Sequence, residues 1–276
     1  MGAPFHATAL QLNAASKMKS KRLILSVVMA LACFLPQSKA SLILGSADSF
    51  AVLGGSLVTS TGDSVLNGNL GVSPGTAITG FGPGIVNGAT YAGGSVAALA
   101  QANALTAYNT LRNETPNQNL TGQDLGGLTL AAGVYSFSSS AQLTGILTLN
   151  AGGDSNARFV IQIGSTLTTA SSSSIVLING AQAGNVFWQV GSSATLGTGT
   201  AFDGSILANQ SITFDTGASL SGSALAMNGT VTLDDNIITI PTAVPEAAAF
   251  WPLVFCASVF GTWQWLAVWR RKAGCS

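Results

Sequence analysis

The sequence predicts a mainly β protein: a β-solenoid with one long α-helix packed alongside, and a separate hydrophobic helix at each end. Three observations predict this. First, a short phrase recurs, made of a polar residue, an apolar residue, a threonine and another apolar residue. It reads Thr166-Leu167-Thr168-Thr169, Ser193-Ala194-Thr195-Leu196, Ser211-Ile212-Thr213-Phe214 and Thr230-Val231-Thr232-Leu233, with earlier copies at Leu128-Thr129-Leu130 and Leu147-Thr148-Leu149. Side chains alternate faces along a strand, so the hydroxyls point one way and the apolar groups the other. Six strands would thus offer one file of hydroxyls: Thr129, Thr148, Thr168, Thr195, Thr213 and Thr232.

Second, longer blocks repeat at coil-like offsets. Phe202 to Ala208 recurs as Leu220 to Ala226, 18 residues on; Ser211 to Asp215 recurs as Thr230 to Asp234, 19 on; and Val160 to Ser165 recurs as Phe187 to Ser192, 27 on. Repeats of this length that differ by insertions at corners are the signature of stacked coils. Third, Ser95 to Arg112 is the one clear helical stretch. Ser95 is its expected N-cap, and Val96, Ala100, Ala104, Ala107, Tyr108 and Leu111 share a face, with Gln101 pointing elsewhere. A face made largely of alanine lets a helix lie close against a flat sheet.

In chain order, Met18-Lys19-Ser20-Lys21-Arg22, the apolar run Leu23 to Leu35 and the small-residue close Ser38-Lys39-Ala40 read as a secretory signal peptide spanning 1–40, with Met18 as the start. The first strands are Leu42-Ile43-Leu44, Phe50 to Leu53 and Ser64-Val65-Leu66, separated by glycine turns. The solenoid domain is expected over 41–240. Its core candidates are Phe159, Ile161, Ile163, Val186, Trp188, Val190, Phe202, Ile206, Phe214, Leu220, Leu225 and Leu233. Residues 241–246 form a linker. Ala247 to Trp269 is a 23-residue apolar run, long enough to span a bilayer, followed by the basic tail 270–276.

Charge and composition exclude several functions. The formal net charge of zero is segregated: between Ser41 and Glu246, Arg112 and Arg158 face ten acidic residues, a net −8. Nucleic acid is an unsuitable partner for that surface. The sole histidine is His6, and the cysteines are Cys33, Cys256 and Cys275. The middle of the chain therefore lacks a His/Cys metal site, a histidine-activated nucleophile, a disulfide and a catalytic lysine. Carboxylates alone could serve a glycosidase, but Asp215, Asp234 and Asp235 read better as a solvated corner. No cofactor and no catalytic residue is expected.

Two resemblances are carried by motifs. Leu44 to Gly55 (LGSADSFAVLGG), Asn69 to Gly75 (NLGVSPG), Asp124 to Leu130 (DLGGLTL), Gly133-Val134-Tyr135, Phe187 to Ser192 and Gly204 to Ala208 resemble the family of microbial ice-binding (antifreeze) proteins. That resemblance implies a right-handed solenoid of triangular section. Its coils are discontinuous, because N-terminal and C-terminal strands share the stack. It also implies an ice crystal surface as partner. The protein is expected to be a monomer. The first set of ice-contacting residues is then the threonine file with its partners Thr166, Ser193, Ser211 and Thr230. Some relatives carry Thr-Ala/Gly-x-Thr/Asn phrases, and Thr169-Ala170-Ser171-Ser172 and Thr216-Gly217-Ala218-Ser219 are similar; the second set is Thr169, Ser172, Thr198, Thr216 and Ser219. Val244-Pro245-Glu246, the apolar span and Arg270-Arg271 resemble a PEP-CTERM sorting signal, with Ala247 where a second proline is usual. This implies a membrane protease as partner and an extracellular or cell-surface location. A rival reading uses the same flat face as an adhesion module for polysaccharide or matrix.

Overall fold

A computed structural model describes residues 43–241. Among them, twenty-four strands form three all-parallel sheets that enclose one apolar core. The first sheet has nine strands. It runs from Thr90–Ala92 through Asn69–Val72, Phe50–Gly54, Ala224–Ala226, Ser205–Ala208, Val186–Val190, Phe159–Ile163 and Gly133–Phe137 to Gln118–Asn119. The second has seven: Ala141–Leu143, Leu167–Thr169, Ala194–Leu196, Ile212–Phe214, Thr230–Asp234, Leu57–Thr61 and Ala77–Thr79. The third has eight: Ile85–Val86, Val65–Asn67, Ile237–Thr239, Ser219–Ser221, Ala201–Asp203, Ser174–Ile178, Ile146–Asn150 and Thr129–Ala131. In every sheet, N-terminal strands sit on the last C-terminal coil, so the stack is discontinuous in sequence.

The repeat offsets are the strand registers. Ile161 pairs with Trp188, Phe202 with Leu220, Leu207 with Leu225, and Thr213 with Thr232. The core candidates are all buried. Trp188 donates its indole N–H to the Asp203 carbonyl at 3.0 Å and packs against Phe202, ring centroids 4.8 Å apart. Leu225 differs from its companions: with Leu53, Val160, Phe187 and Leu207 it points outward from the first sheet and is buried by the helix.

That helix, α1 (Gly94–Arg112), begins one residue before the expected start. Ser95 does not cap it. Gly93 holds the N-cap position at φ +80°, a left-handed conformation that glycine tolerates, and no side chain caps the first turn. Its buried face is Ala97, Ala100, Ala104, Ala107, Tyr108 and Leu111; Val96, expected in that face, is 47% exposed. Ala97 takes its place because the stripe at three- and four-residue spacing runs back from Ala100 to 97. Gln101 also departs from expectation. It turns to the first sheet and donates to the carbonyls of Ala226 and Met227 at 2.9 and 2.7 Å. At the other end Gln162, buried in the sheet, donates to the carbonyls of Leu111 and Glu114, closing the helix C-terminus. Glu114 pairs with Arg158 through both guanidinium nitrogens.

Leu42-Ile43-Leu44 is not a strand in its described part: Ile43 and Leu44 lead into a 3-10 turn, Gly45–Ser49, and Leu44 is buried beneath α1. Phe50–Gly54 and Val65–Asn67 form as expected. The signal peptide, most of the linker, the span 247–269, the tail and the sorting residues Val244, Pro245, Glu246, Arg270 and Arg271 lie outside the described residues.

Candidate functional site

The three sheets present different outer surfaces. The central strands of the first sheet are buried on both faces, because α1 covers the outer one. Strands of the other two alternate between buried and accessible residues, so each keeps one face in water.

The second sheet carries the ordered surface. Thr168 pairs with Thr195, Thr195 with Thr213, Thr213 with Thr232, Thr232 with Thr59 and Thr59 with Thr79. Six threonines stand in one file, and Gln142 extends it at one end. The four inner members are half-buried by their neighbours and the terminal Thr168 and Thr79 are exposed, as expected of a close-packed row. Beside it runs a second file of Thr166, Ser193, Ser211 and Thr230, hydroxyl-bearing and half-buried. Hydrogen bonds lock this second file. Thr166 Oγ1 donates to Ser140 Oγ at 2.8 Å, Ser193 Oγ accepts from the Ser211 amide, and Ser211 Oγ accepts from the Thr230 amide.

Four of the six members of the file expected from sequence stand together. Thr168, Thr195, Thr213 and Thr232 belong together. Thr129 and Thr148 pair with each other on the third sheet and do not join them. The phrase Leu-Thr-Leu says only that threonine faces out, and each coil has more than one outward side. The missing ranks are Thr59 and Thr79, which the discontinuous stacking brings beside Thr232. Val58-Thr59 and Ile78-Thr79 keep only the apolar–threonine step of the repeated phrase, with Leu57 and Ala77 where its polar residue stands.

The second set is scattered. Thr169 is 3% exposed and turned inward. Its hydroxyl accepts from the Gly197 amide and lies 2.8 Å from Thr200 Oγ1, so it braces the corner between the second and third sheets. Ser172, Thr198 and Thr216 are exposed on the loops of that corner, and Ser219 belongs to the third sheet. These residues share no single face.

The third sheet has a less regular exterior. One outward file runs Ile146, Ser174, Ala201, Ser219, Ile237, Val65 and Ile85, with the isoleucines over half exposed. The next holds Asp203, Ser221, Thr239 and Asn67. Burial lifts the Asp203 carboxyl from 3.8 to about 6, against a hydrogen bond from Ser221 that lowers it. The raised value means that the folded state binds the proton more tightly than the unfolded state. The resulting stabilisation is complete below pH 3.8 and is lost as pH rises through about 6. Asp203→Asn is therefore expected to be more thermostable than the parent at pH 7, with the advantage vanishing below pH 3.8; thermal denaturation across that range checks it.

Among the described residues, no group of three or more His, Cys, Asp or Glu side chains is placed to hold a metal ion. No described helix is long and apolar enough to cross a membrane.

The family described as ice-binding-like matches residues 52–239. An ice-binding protein from Nostoc sp. (strain HG1) is 58% identical over 226 residues, covering 81% of this chain and 84% of the relative. An ice-binding protein from Colwellia sp. is 34% identical over 223 residues, covering 74% of this chain and 86% of its own. Among solved structures, an ice-binding protein from an Antarctic biological consortium superposes with a TM-score of 0.72 at 45% identity, over 75% of this chain and 95% of that one. The ice-binding protein of the Antarctic ascomycete Antarctomyces psychrotrophicus gives 0.71 at 42% identity, over 72% and 98%.

Proposed function

Because this chain belongs to the ice-binding-like family, we propose that it adsorbs to ice through the outer face of its second sheet and so inhibits ice growth and recrystallisation. The observation that carries this assignment is the in-register file of six threonines on a face that, among the described residues, no helix covers. Adjacent strands repeat at about 4.8 Å, so seven of them make a surface about 29 Å long. Threonine suits such a surface because its χ1 is stiff, and little side-chain freedom remains to be lost on contact. Its hydroxyl anchors a water while its methyl shapes the cage around it. Each contact is weak, and the strength comes from many acting at once. Lysine is absent from 41–246, so no strongly hydrated, mobile ammonium disturbs the layer. The protein acts without a cofactor or a catalytic step, as a monomer.

The test is partition of the purified protein into a slowly growing ice crystal, together with its effect on recrystallisation of a frozen sucrose solution. Uptake into the ice and arrest of grain growth are expected. A matrix-adhesion module would be excluded from the ice like any solute and leave grain growth unchanged.

Export belongs to the same proposal. The segment 1–40 directs secretion. The span 247–269, between Val244-Pro245-Glu246 and Arg270-Arg271, holds the protein at the membrane until a sorting protease removes it. A tag placed after Ser276 would then be absent from the surface-exposed protein; its retention there would identify a permanent anchor.

A further inference from the structure

The threonine file is drawn from two distant parts of the chain. Thr168, Thr195, Thr213 and Thr232 come from successive coils, but the next rank, Thr59, lies across a junction where Leu57–Thr61 pairs with Thr230–Asp234. The face is one lattice only if that junction keeps its register and stays stiff. Side chains reinforce it. Ser56 Oγ lies 3.2 Å from Thr230 Oγ1, and the Asp235 carboxylate accepts the Asp63 amide at 2.6 Å.

The central tie is Asp234. One carboxylate oxygen accepts from Thr61 Oγ1 at 2.9 Å, and the other accepts from Thr216 Oγ1. Thr61 stands two residues beyond Thr59, and Thr216 three beyond Thr213. One side chain therefore links the strand Leu57–Thr61, its own strand Thr230–Asp234 and the turn that follows Ile212–Phe214. An ionised carboxylate is fitted to this, being acceptor-only with two oxygens and making stronger bonds than a neutral group.

We propose that Asp234 is a positioning residue for adsorption: by tying three coils it fixes the seam so that Thr59 and Thr79 prolong the file of Thr168, Thr195, Thr213 and Thr232. The inference rests on the reading of the second sheet as the ice-contacting face. The titratable groups near Asp234 are Asp215, Asp235 and Asp63. The two cations among the described residues are engaged elsewhere, Arg112 at the end of α1 and Arg158 on Glu114. Hydrogen bonds from Thr216 and then Thr61 hold the Asp234 carboxyl below its ordinary 3.8.

The experiment compares the full-length parent with Asp234→Asn and Asp234→Ala by partition into growing ice. At pH 7 the ice-bound fraction is expected to fall by roughly threefold or more, a coupling typical of groups in one network, with the far-UV spectrum unchanged. In the Asp234→Ala background, Thr59→Tyr is expected to add no further loss, because that half of the file is already out of register, whereas Thr168→Tyr removes what remains. The parent should hold its uptake from pH 7 to pH 5 and lose it below pH 3.8, and Asp234→Asn should show no such step. Undiminished uptake by Asp234→Asn, multiplying losses with Thr59→Tyr, or the same acid step in Asp234→Asn would each overturn the proposal. Should Asp234→Asn not fold, a parent whose uptake is flat through the acid range would overturn it as well. Failure of the parent itself to enter ice would instead refute the assignment of the face.

Discussion

Thr195→Tyr and Thr213→Tyr, alone or together, are expected to abolish uptake into ice while shifting the melting temperature by no more than about 2 °C. Both residues lie mid-file on the second sheet, flanked on each side by a threonine of the next coil. Their side chains point away from the core, whose members on these strands are Ala194, Leu196, Ile212 and Phe214. A phenol ring there stands proud of its neighbours and holds the surrounding hydroxyls off a flat crystal. Because adsorption sums many weak contacts, lifting the centre removes most of them at once. The fold is spared, since surface substitutions usually stay within about 0.5 kcal/mol and a domain of this size moves about 2–4 °C per kcal/mol. Thr129→Tyr, on the third sheet, is the matched control and is expected to leave uptake intact. If Thr129→Tyr abolishes uptake and Thr195→Tyr does not, the third sheet is the working face.

The largest stability effect is expected at Asn236. This residue is completely buried. Its amide nitrogen donates to the carbonyls of Asp215 and Ala218 at 2.9 and 3.0 Å, its oxygen accepts from the Asp234 amide at 2.6 Å, and its own amide donates to Ser64 Oγ. It therefore satisfies backbone groups from two coils at the corner where the second sheet turns into the third. Asn236→Leu preserves the volume but leaves the Ala218 carbonyl and the Asp234 amide without their side-chain partner, while the Asp215 carbonyl keeps only the Ala218 amide. Each buried unpaired polar group costs about 1–3 kcal/mol, so the loss should be about 3 kcal/mol and the melting temperature should fall by about 6–12 °C. Calorimetry of the purified protein decides it; a change under about 1 kcal/mol would show that water replaces the side chain without difficulty.

Much of this architecture was legible in the residues. The offsets of 27, 18 and 19 are the pairings of Val160 with Phe187, Phe202 with Leu220 and Thr213 with Thr232. They were readable because each coil stacks only on its neighbours, which preserves local spacing in space. The alanine face of α1 was readable apart from its phase at Val96. What the residues did not disclose is which outward positions share a side. An alternating strand separates inside from outside, and it looks the same on the second sheet and the third. Thr129 and Thr148 were grouped with Thr168 for that reason. Thr169 misled in another way: at a strand end the chain turns a corner, and a threonine there can face in when Thr200 and the Gly197 amide supply its partners. Thr59 and Thr79 were hidden by the splice in the stack, which no local phrase records.

That splice has a consequence for assembly. Residues 57–61 dock on 77–79 on one side and on 230–234 on the other, so the coils made first can pair early with each other but gain their second ladder only when the solenoid is nearly complete. Contacts of such long sequence separation must be closed against chain entropy before they reward it, which makes folding slow and late in commitment. The two runs of coils become one continuous stack only when the last coil arrives to receive the first.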